Sequence, residues 1–236
     1  MNSVKSCIIL AGGLGTRLRK TVSDVPKCLA IVAGKPFIDY VIGYARLQGV
    51  ENFTFSLGYK AEDIILHLKT NHSNLNYNYT IETEPLGTGG GILLSSEKMD
   101  DDHFFVFNGD TLFQADLKSM SQLHLNQHND ITIALKEMEN FDRYGSVDLK
   151  EEKVVAFNEK QFKDKGLING GIYLISKKVF SAFRPGDTFS FEKDVLEPYT
   201  THGKVGGKVF NAYFIDIGIP EDYTKANTDL KDITTL

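Results

Sequence analysis

Apolar residues in this chain fall into two rhythms that alternate over its first half. An unbroken β-type run over residues 4–10 predicts a first buried strand. Gly34-Lys35-Pro36 reads as a turn, with Pro36 placed in the first turn of a helix. Over residues 37–47 apolar positions then recur at helical spacing (Phe37, Tyr40, Val41, Tyr44, Leu47), and Gly49 closes that helix. Residues 53–57 predict a second strand, 61–68 a helix with Ile64, Ile65 and Leu68 on one face, and 77–81 a third strand. Residues 104–107 form a fully apolar fourth strand, and 117–125 another helix. The alternation then breaks. Residues 131–136, 146–149, 154–158 and 167–175 predict successive strands with few helices between them. Residues 179–183 and 191–196 predict short helices around a Pro185-Gly186 turn. Residues 213–218 form a last strand, and Pro220-Glu221-Asp222 opens a C-terminal helix with proline first and acids in its first turn. The pattern predicts an α/β fold. Its first ~120 residues are βαβ units on a mostly parallel sheet flanked by helices, and the rest is an antiparallel addition closing over it.

Composition narrows the function classes. The chain has 236 residues, 42% hydrophobic and 24% charged, with a net charge of −5 of mixed sign. Neither a nucleic-acid surface nor an anionic-membrane surface is expected from that balance. No apolar run is long enough to span a bilayer. The start, Met1-Asn2-Ser3-Val4-Lys5, leads straight into a core strand and does not read as a signal peptide. Cys7 and Cys28 lie in apolar runs without metal spacing, as expected for buried thiols of a reduced cytoplasm. His124 and His128 are spaced i, i+4 but lack the glutamate of a zinc-protease motif, so they read as exposed helix residues. Asp100-Asp101-Asp102 reads as a solvated turn.

The candidate chemistry sits at the ends of the strands. The first run ends in Leu10-Ala11-Gly12-Gly13-Leu14-Gly15-Thr16-Arg17, followed by Pro26-Lys27. A strand that stops in a glycine-rich loop offers bare backbone N–H groups to phosphate oxygens. Arg17 can fork onto two such oxygens and Lys27 can add a point charge. A P-loop is excluded because Thr16-Arg17 follows Gly15, and a dinucleotide fingerprint because Leu18 stands at the third glycine. A second glycine-rich stretch, Glu84-Pro85-Leu86-Gly87-Thr88-Gly89-Gly90-Gly91, is expected to bring backbone close to a flat ligand such as a nucleobase. Asn108-Gly109-Asp110 ends the fourth strand, where open α/β sheets bind ligands. Asp110 and Asp216, both after apolar strands, can supply the oxygen shell that Mg²⁺ prefers. No activated nucleophile is evident, which is compatible with direct transfer between two bound substrates.

These motifs resemble the sugar-phosphate nucleotidyltransferases, the nucleotide-sugar pyrophosphorylases. The similarity runs in order through residues 10–17 with Pro26-Lys27, Pro85-Leu86-Gly87-Thr88-Gly89, Asn108-Gly109-Asp110, Asn158-Glu159-Lys160, Asn169-Gly170-Gly171 and residues 216–223. Glu84 to Gly89 looks like the guanylyl and muramate-type members rather than the thymidylyl type. Tyr144-Gly145-Ser146-Val147, residues 166–171, residues 189–194 and residues 214–223 look most like the members that guanylylate D-glycero-D-manno-heptose 1-phosphate for bacterial capsule or lipopolysaccharide. Lys20-Thr21 departs from the many relatives with a proline there, and no β-helix is appended before Leu236.

The resemblance implies a Rossmann-like nucleotidyltransferase fold. It implies a single domain over 1–236, with 1–125 as the nucleotide-binding part and 126–236 as mainly the sugar-phosphate-binding part. Catalytic roles would fall to Arg17, Lys27 and Asp110. The nucleotide would be held by Leu10, Ala11, Gly12, Gly13, Gly15, Thr16, Glu84, Pro85, Gly87, Thr88, Gly89, Asn108 and Gly109. Gly145, Glu159, Lys160, Asn169 and Gly170 would grip the sugar phosphate, and Asp110 and Asp216 would hold Mg²⁺. The implied partners are small-molecule substrates, an NTP (GTP expected) and a sugar 1-phosphate, with a homo-oligomer left open. Mannose 1-phosphate guanylyl transfer, muramate-type uridylyl transfer and a non-catalytic nucleotide-sugar sensor of the same fold remain alternatives. Retention of Arg17, Lys27, Asp110 and Asp216 speaks against the sensor.

Overall fold

The computed structural model describes residues 4–13, 15, 18, 22 and 25–231. Strand β1 (Ser6–Leu10) is followed by a 3-10 turn (Lys27–Leu29) and a small hairpin, β2 (Ile31–Val32) and β3 (Lys35–Pro36). Then come α1 (Phe37–Leu47), β4 (Asn52–Leu57), α2 (Ala61–Asn71), β5 (Asn76–Ile81), α3 (Gly87–Ser96) and β6 (His103–Asn108). After β7 (Thr111–Phe113) and α4 (Leu117–Asn126) run the strands β8 (Ile131–Phe141), β9 (Ser146–Lys150), β10 (Lys153–Asn158) and β11 (Lys163–Ser176). A 3-10 turn (Lys177–Phe180), a π-helical turn (Phe191–Leu196), α5 (Glu197–Thr200), β12 (Val205–Val209), β13 (Phe214–Asp216) and α6 (Pro220–Asp229) complete the chain. Pro36 precedes α1 as its N-cap rather than entering its first turn, and the turn read at 34–36 is the β2–β3 hairpin over Ala33-Gly34.

One nine-stranded sheet runs through the molecule in the order β5-β4-β1-β6-β11-β8-β12-β10-β9. Its first four strands are parallel. The later strands do not close over this half, as the sequence reading had it; they continue the same sheet. The reason is the length of β11. Ile172–Ser176 pair antiparallel with β6, while the whole strand pairs antiparallel with β8, so one strand joins both halves edge to edge. Strand β12, parallel to β8, had no signal in the sequence because it reads Val-Gly-Gly-Lys-Val. Its glycines answer crowding: a methyl group on Gly207 would lie 2.6 Å from Leu149 Cδ1.

Side chains of the parallel strands point alternately to the two faces, and both faces are covered. Cys7, Ile9, Phe105 and Phe107 pack with α1 and α2 through Phe37, Tyr40, Val41, Ile64 and Leu68. Ile8, Phe104 and Val106 pack on the other face with Ile92, Phe180, Phe191 and Leu196. This two-sided burial is why the central strands β1 and β6 read as apolar runs, whereas β4 and the edge strand β5 alternate with polar residues. Both cysteines are buried and free, and burial pushes the Cys28 thiol up to about 12, with the Asp110 charge adding to it.

The second glycine-rich stretch is a loop only over residues 84–86, and the helix it was expected to run into starts at Gly87. Gly87 to Gly91 form the first turns of α3, and Gly89, Gly90 and Gly91 are buried. A methyl group on Gly89 would overlap the Phe189 ring, one on Gly90 would overlap the Asp187 carbonyl and lie 2.7 Å from Leu86 Cβ, and one on Gly91 would lie 2.7 Å from Glu82 Oε1. These glycines let α3 lie against backbone. Gly→Ala in an open helix stabilises by about 1 kcal/mol. Gly90→Ala is expected to do the reverse, costing about 1–3 kcal/mol through overpacking, read as a lowered denaturant midpoint.

His124 overturns another expectation. It lies on α4 as predicted, but it is fully buried, with Nδ1 2.9 Å from Thr132 Oγ1 and Nε2 3.0 Å from His103 Nδ1. Burial, aided by the neighbouring His103, lowers its pKa to about 3. Unfolded histidine titrates near 6.5, so as pH falls the unfolded state takes the proton first. Stability is therefore full above about pH 6.5 and is lost towards pH 3, by about 2 kcal/mol at pH 5. Denaturation at pH 7.5 and pH 5 should show that loss, and His124→Gln should abolish most of it. An unchanged pH dependence in the variant would assign the loss to another group. His128 follows α4 and is exposed, and the Asp100–Asp102 run is exposed as expected.

Candidate active site

Three parallel strands, β4, β1 and β6, end side by side, and their C-terminal loops are drawn together by glycine. Gly12 and Gly58 face each other, so that a methyl group on Gly58 would lie 2.9 Å from the Gly12 carbonyl oxygen. A methyl group on Gly109 would lie 2.6 Å from the Leu10 carbonyl oxygen, to which its own N–H donates at 2.9 Å. Gly13 differs: nothing among the described residues stands within 4 Å of its open side. Of the glycines in this loop, Gly12 serves backbone packing, and Gly13 meets no described residue there. Gly15 has φ +60°, and its missing side chain makes room for Lys27 Cβ at 3.1 Å.

Above these strand ends opens a cavity of about 760 Å³. It is lined by Leu10, Ala11, Gly12, Gly13, Gly15, Lys27, Glu84, Pro85, Gly87, Thr88, Asn108, Gly109 and Asp110, all singled out in the sequence. Gly89 does not line it; its N–H is taken by the Phe189 carbonyl at 3.0 Å. Thr16 and Arg17 lie outside the described residues. The lining also includes Cys28, Ser56, Gly58, Tyr59, Glu82, Thr83, Glu192 and Gly218, which sequence reasoning missed. Half of these could have been found. Ser56, Gly58, Glu82 and Thr83 stand at the C-terminal ends of β4 and β5, the edge where α/β sheets bind ligands. Glu192 lies in the 189–194 stretch of the resemblance but had no strand-end signal, since it arrives from the π-helical turn. There its Oε2 accepts from Thr88 Oγ1 at 2.8 Å.

Opposite charges meet at the floor. Lys27, placed by the 3-10 turn, sets its Nζ 2.5 Å from Asp110 Oδ2 and 3.5 Å from Asp216 Oδ1. Asp110 follows β6 and Asp216 ends β13. The β13–β7 pair sets Asp216 opposite Thr111 and lets Ile217 N–H donate to the Asp110 carbonyl at 3.0 Å. Burial and the charge of Asp110 push the Asp216 carboxyl up, although Lys27 and the Gly218 N–H, 2.7 Å from Oδ1, favour its ionised form. Two carboxylates around a single ammonium, with the Asp110 charge pushing the Asp216 carboxyl up, form an all-oxygen donor set short of positive charge. The residues present therefore fit a hard divalent cation. The rest of the lining agrees. Glu82, Glu84 and Glu192 add further acids, and Lys27 is the cation among the described lining residues, so a triphosphate needs added positive charge here.

The remaining sequence candidates do not line the cavity. Asn169 Nδ2 donates to Tyr173 Oη at 2.7 Å, and its Oδ1 accepts from Gly171 N–H at 3.0 Å. Here the β11–β8 register shifts, and the resulting bulge presses Gly171 (φ +75°) onto Asn108, where a methyl group would lie 2.8 Å from Nδ2. Gly170 is buried with its open side against the Phe113 ring, a packing role. Gly145 follows Tyr144, whose hydroxyl is pushed up by burial and by the Asp216 charge, and it abuts the Asn158 carbonyl at 2.7 Å from where a methyl group would stand. Glu159 and Lys160 are exposed after β10.

Residues 6–233 match the family described as nucleotidyl transferase. The chain is 44% identical to D-glycero-alpha-D-manno-heptose 1-phosphate guanylyltransferase of Aneurinibacillus thermoaerophilus over 95% of this chain and 97% of that protein. It is 45% identical to the protein of the same name from Campylobacter jejuni, over 92% of this chain and 96% of that one. Crystal structures of HddC from Yersinia pseudotuberculosis superpose with TM-score 0.87 at 41% identity, and 0.85 at 40% identity when complexed with GMP-PN. Each covers 97% of this chain and 100% of that one. With its sheet order, its strand-end cavity and these matches, the chain belongs to the nucleotidyl transferase family.

Proposed function

We propose that this chain transfers GMP from GTP to D-glycero-α-D-manno-heptose 1-phosphate, giving GDP-heptose and pyrophosphate, an activated sugar for surface glycans. The observation that carries this reading is the Lys27–Asp110–Asp216 cluster at the floor of a nucleotide-sized cavity. It stands in a chain that matches two heptose guanylyltransferases over more than nine-tenths of its length. An acceptor phosphate oxygen attacks the α-phosphorus of GTP, a new P–O bond forms, and the bond to the β-phosphate oxygen breaks. The acceptor is already anionic at pH 7, so no general base is needed. Catalysis is positioning and charge neutralisation. Lys27, with Arg17 from the first loop, would neutralise the reacting phosphates. Asp110 and Asp216 would hold Mg²⁺, which supplies Lewis-acid stabilisation of phosphate charge when bound. The Gly13 side of the first loop would take the phosphates. Gly145, Glu159 and Asn169 would grip the sugar, and Lys160 its phosphate.

Base choice falls to Glu82. Its Oε2 accepts from Leu86 N–H at 2.9 Å, which fixes the carboxylate at the cavity wall. Guanine presents N1–H and N2–H donors on its Watson–Crick edge, complementary to a carboxylate, whereas adenine presents an acceptor at N1. The buried Ser56 Oγ, without a partner among the described residues, offers a further hydrogen bond to the nucleoside. Pyrophosphate release across GTP, ATP, UTP, CTP and dTTP, each with heptose and mannose 1-phosphates and with or without chelator, tests the reading. GTP with heptose 1-phosphate is expected to be fastest, and chelator to stop it. Faster turnover with UTP or with mannose 1-phosphate would overturn the base or the sugar assignment, and full activity in chelator the metal.

A further inference from the structure

One side-chain cluster outside the cavity has no part in this chemistry. Asp39 stands in the first turn of α1, His67 lies on α2, and His72 is the residue that ends α2. His67 Nε2 is 2.6 Å and His72 Nε2 is 2.8 Å from the same oxygen, Asp39 Oδ1, and the rings meet edge-on with centroids 5.4 Å apart. Both imidazoles turn their outer nitrogen to one point. All the ligand atoms of the cluster lie within 4.8 Å of one another. The side chains are 12–17% exposed, so water and ions reach them. Helix packing alone needs one hydrogen bond between α1 and α2, not two rings converging on one carboxylate oxygen.

We propose that Asp39, His67 and His72 form a second metal site, of the zinc class, that clamps α1 to α2. Two imidazole nitrogens and one carboxylate oxygen suit Zn²⁺ and leave a fourth position for water, whereas Mg²⁺ prefers oxygen throughout. Zinc bonds of about 2.0–2.1 Å in a tetrahedral shell separate the ligand atoms by roughly 3.3 Å, so the two contacts to Asp39 lengthen by about 0.5–0.7 Å to admit the ion. Each ligating ring is a neutral imidazole that gives its Nε2 lone pair to the metal and carries its single ring proton on Nδ1. Asn71 lies beside His67: its Nδ2 donates to the His67 carbonyl at 3.2 Å and stands 3.1 Å from His67 Nδ1.

Tag-free protein dialysed against Zn²⁺ in excess Mg²⁺ tests the site, with bound zinc counted per chain and Co²⁺ used as a visible-absorbing substitute. About one zinc per chain is expected, with tetrahedral Co²⁺ absorption and a raised Tm, both retained in Asp110→Asn/Asp216→Asn. His67→Gln/His72→Gln should bind at least tenfold more weakly and lose the Tm rise, and Asp39→Asn should weaken binding in the same direction. Equal zinc uptake by the wild type and the double-histidine variant would overturn the proposal, as would no uptake by the wild type.

Discussion

Lys27→Met should lower kcat by about 100- to 1,000-fold, equivalent to roughly 3–4 kcal/mol of transition-state stabilisation. Charge moves onto the leaving pyrophosphate as the bond to the α-phosphorus breaks, and Lys27 is the described cation at that end of the cavity. Its Nζ stands between Asp110 and Asp216, the carboxylates that would hold the metal, so it also prevents their mutual repulsion. Methionine keeps the length and apolar stem of lysine, and the surrounding packing survives. The expected signature is a large fall in kcat with a small change in Tm. The Asp216 carboxyl, already raised, rises further without the ammonium, so metal activation should need higher pH or more Mg²⁺. Turnover within a few-fold of wild type would show that the ammonium does not meet the reacting phosphates.

Glu82→Gln should cut kcat/KM for GTP by about 30- to 100-fold, which is about 2–3 kcal/mol, and narrow its advantage over ATP. In the variant, the amide oxygen can still accept from Leu86 N–H, as Oε2 does now. The amide nitrogen would then face the guanine donors, donor against donor, and leave buried groups unpaired. Because the loss lies in recognition, it should appear for GTP in competition with other NTPs and should not track Tm. Equal losses for GTP and ATP would place Glu82 outside base recognition and leave the choice to backbone groups.

The parallel half of the fold was legible because burial on both faces leaves apolar runs in β1 and β6, β4 and β5 alternate apolar with polar residues, and glycine with acid marks strand ends. Leu10 to Gly13, Lys27 and Asn108 to Asp110 were picked from such marks, and the structure brings them around one cavity. Local spacing likewise determined α1, α2, α4 and the proline-led α6. Chain order could not say what glycine is for. Gly13 meets no described residue on its open side, whereas Gly89 and Gly90 are kept free of side chains by Phe189 and Asp187, about a hundred residues away in the chain. Nor could it place His124, whose i, i+4 partner His128 is exposed while it is buried against His103 and Thr132. The joining of the two sheet halves through β11, the glycine-rich β12, and the meeting of Lys27, Asp110 and Asp216 all depend on contacts between distant segments. Sequence determines which residues can pack or bind, because that follows from side-chain chemistry and local period. Tertiary structure decides which of them do, because close approach, burial and charge pairing are properties of neighbours in space.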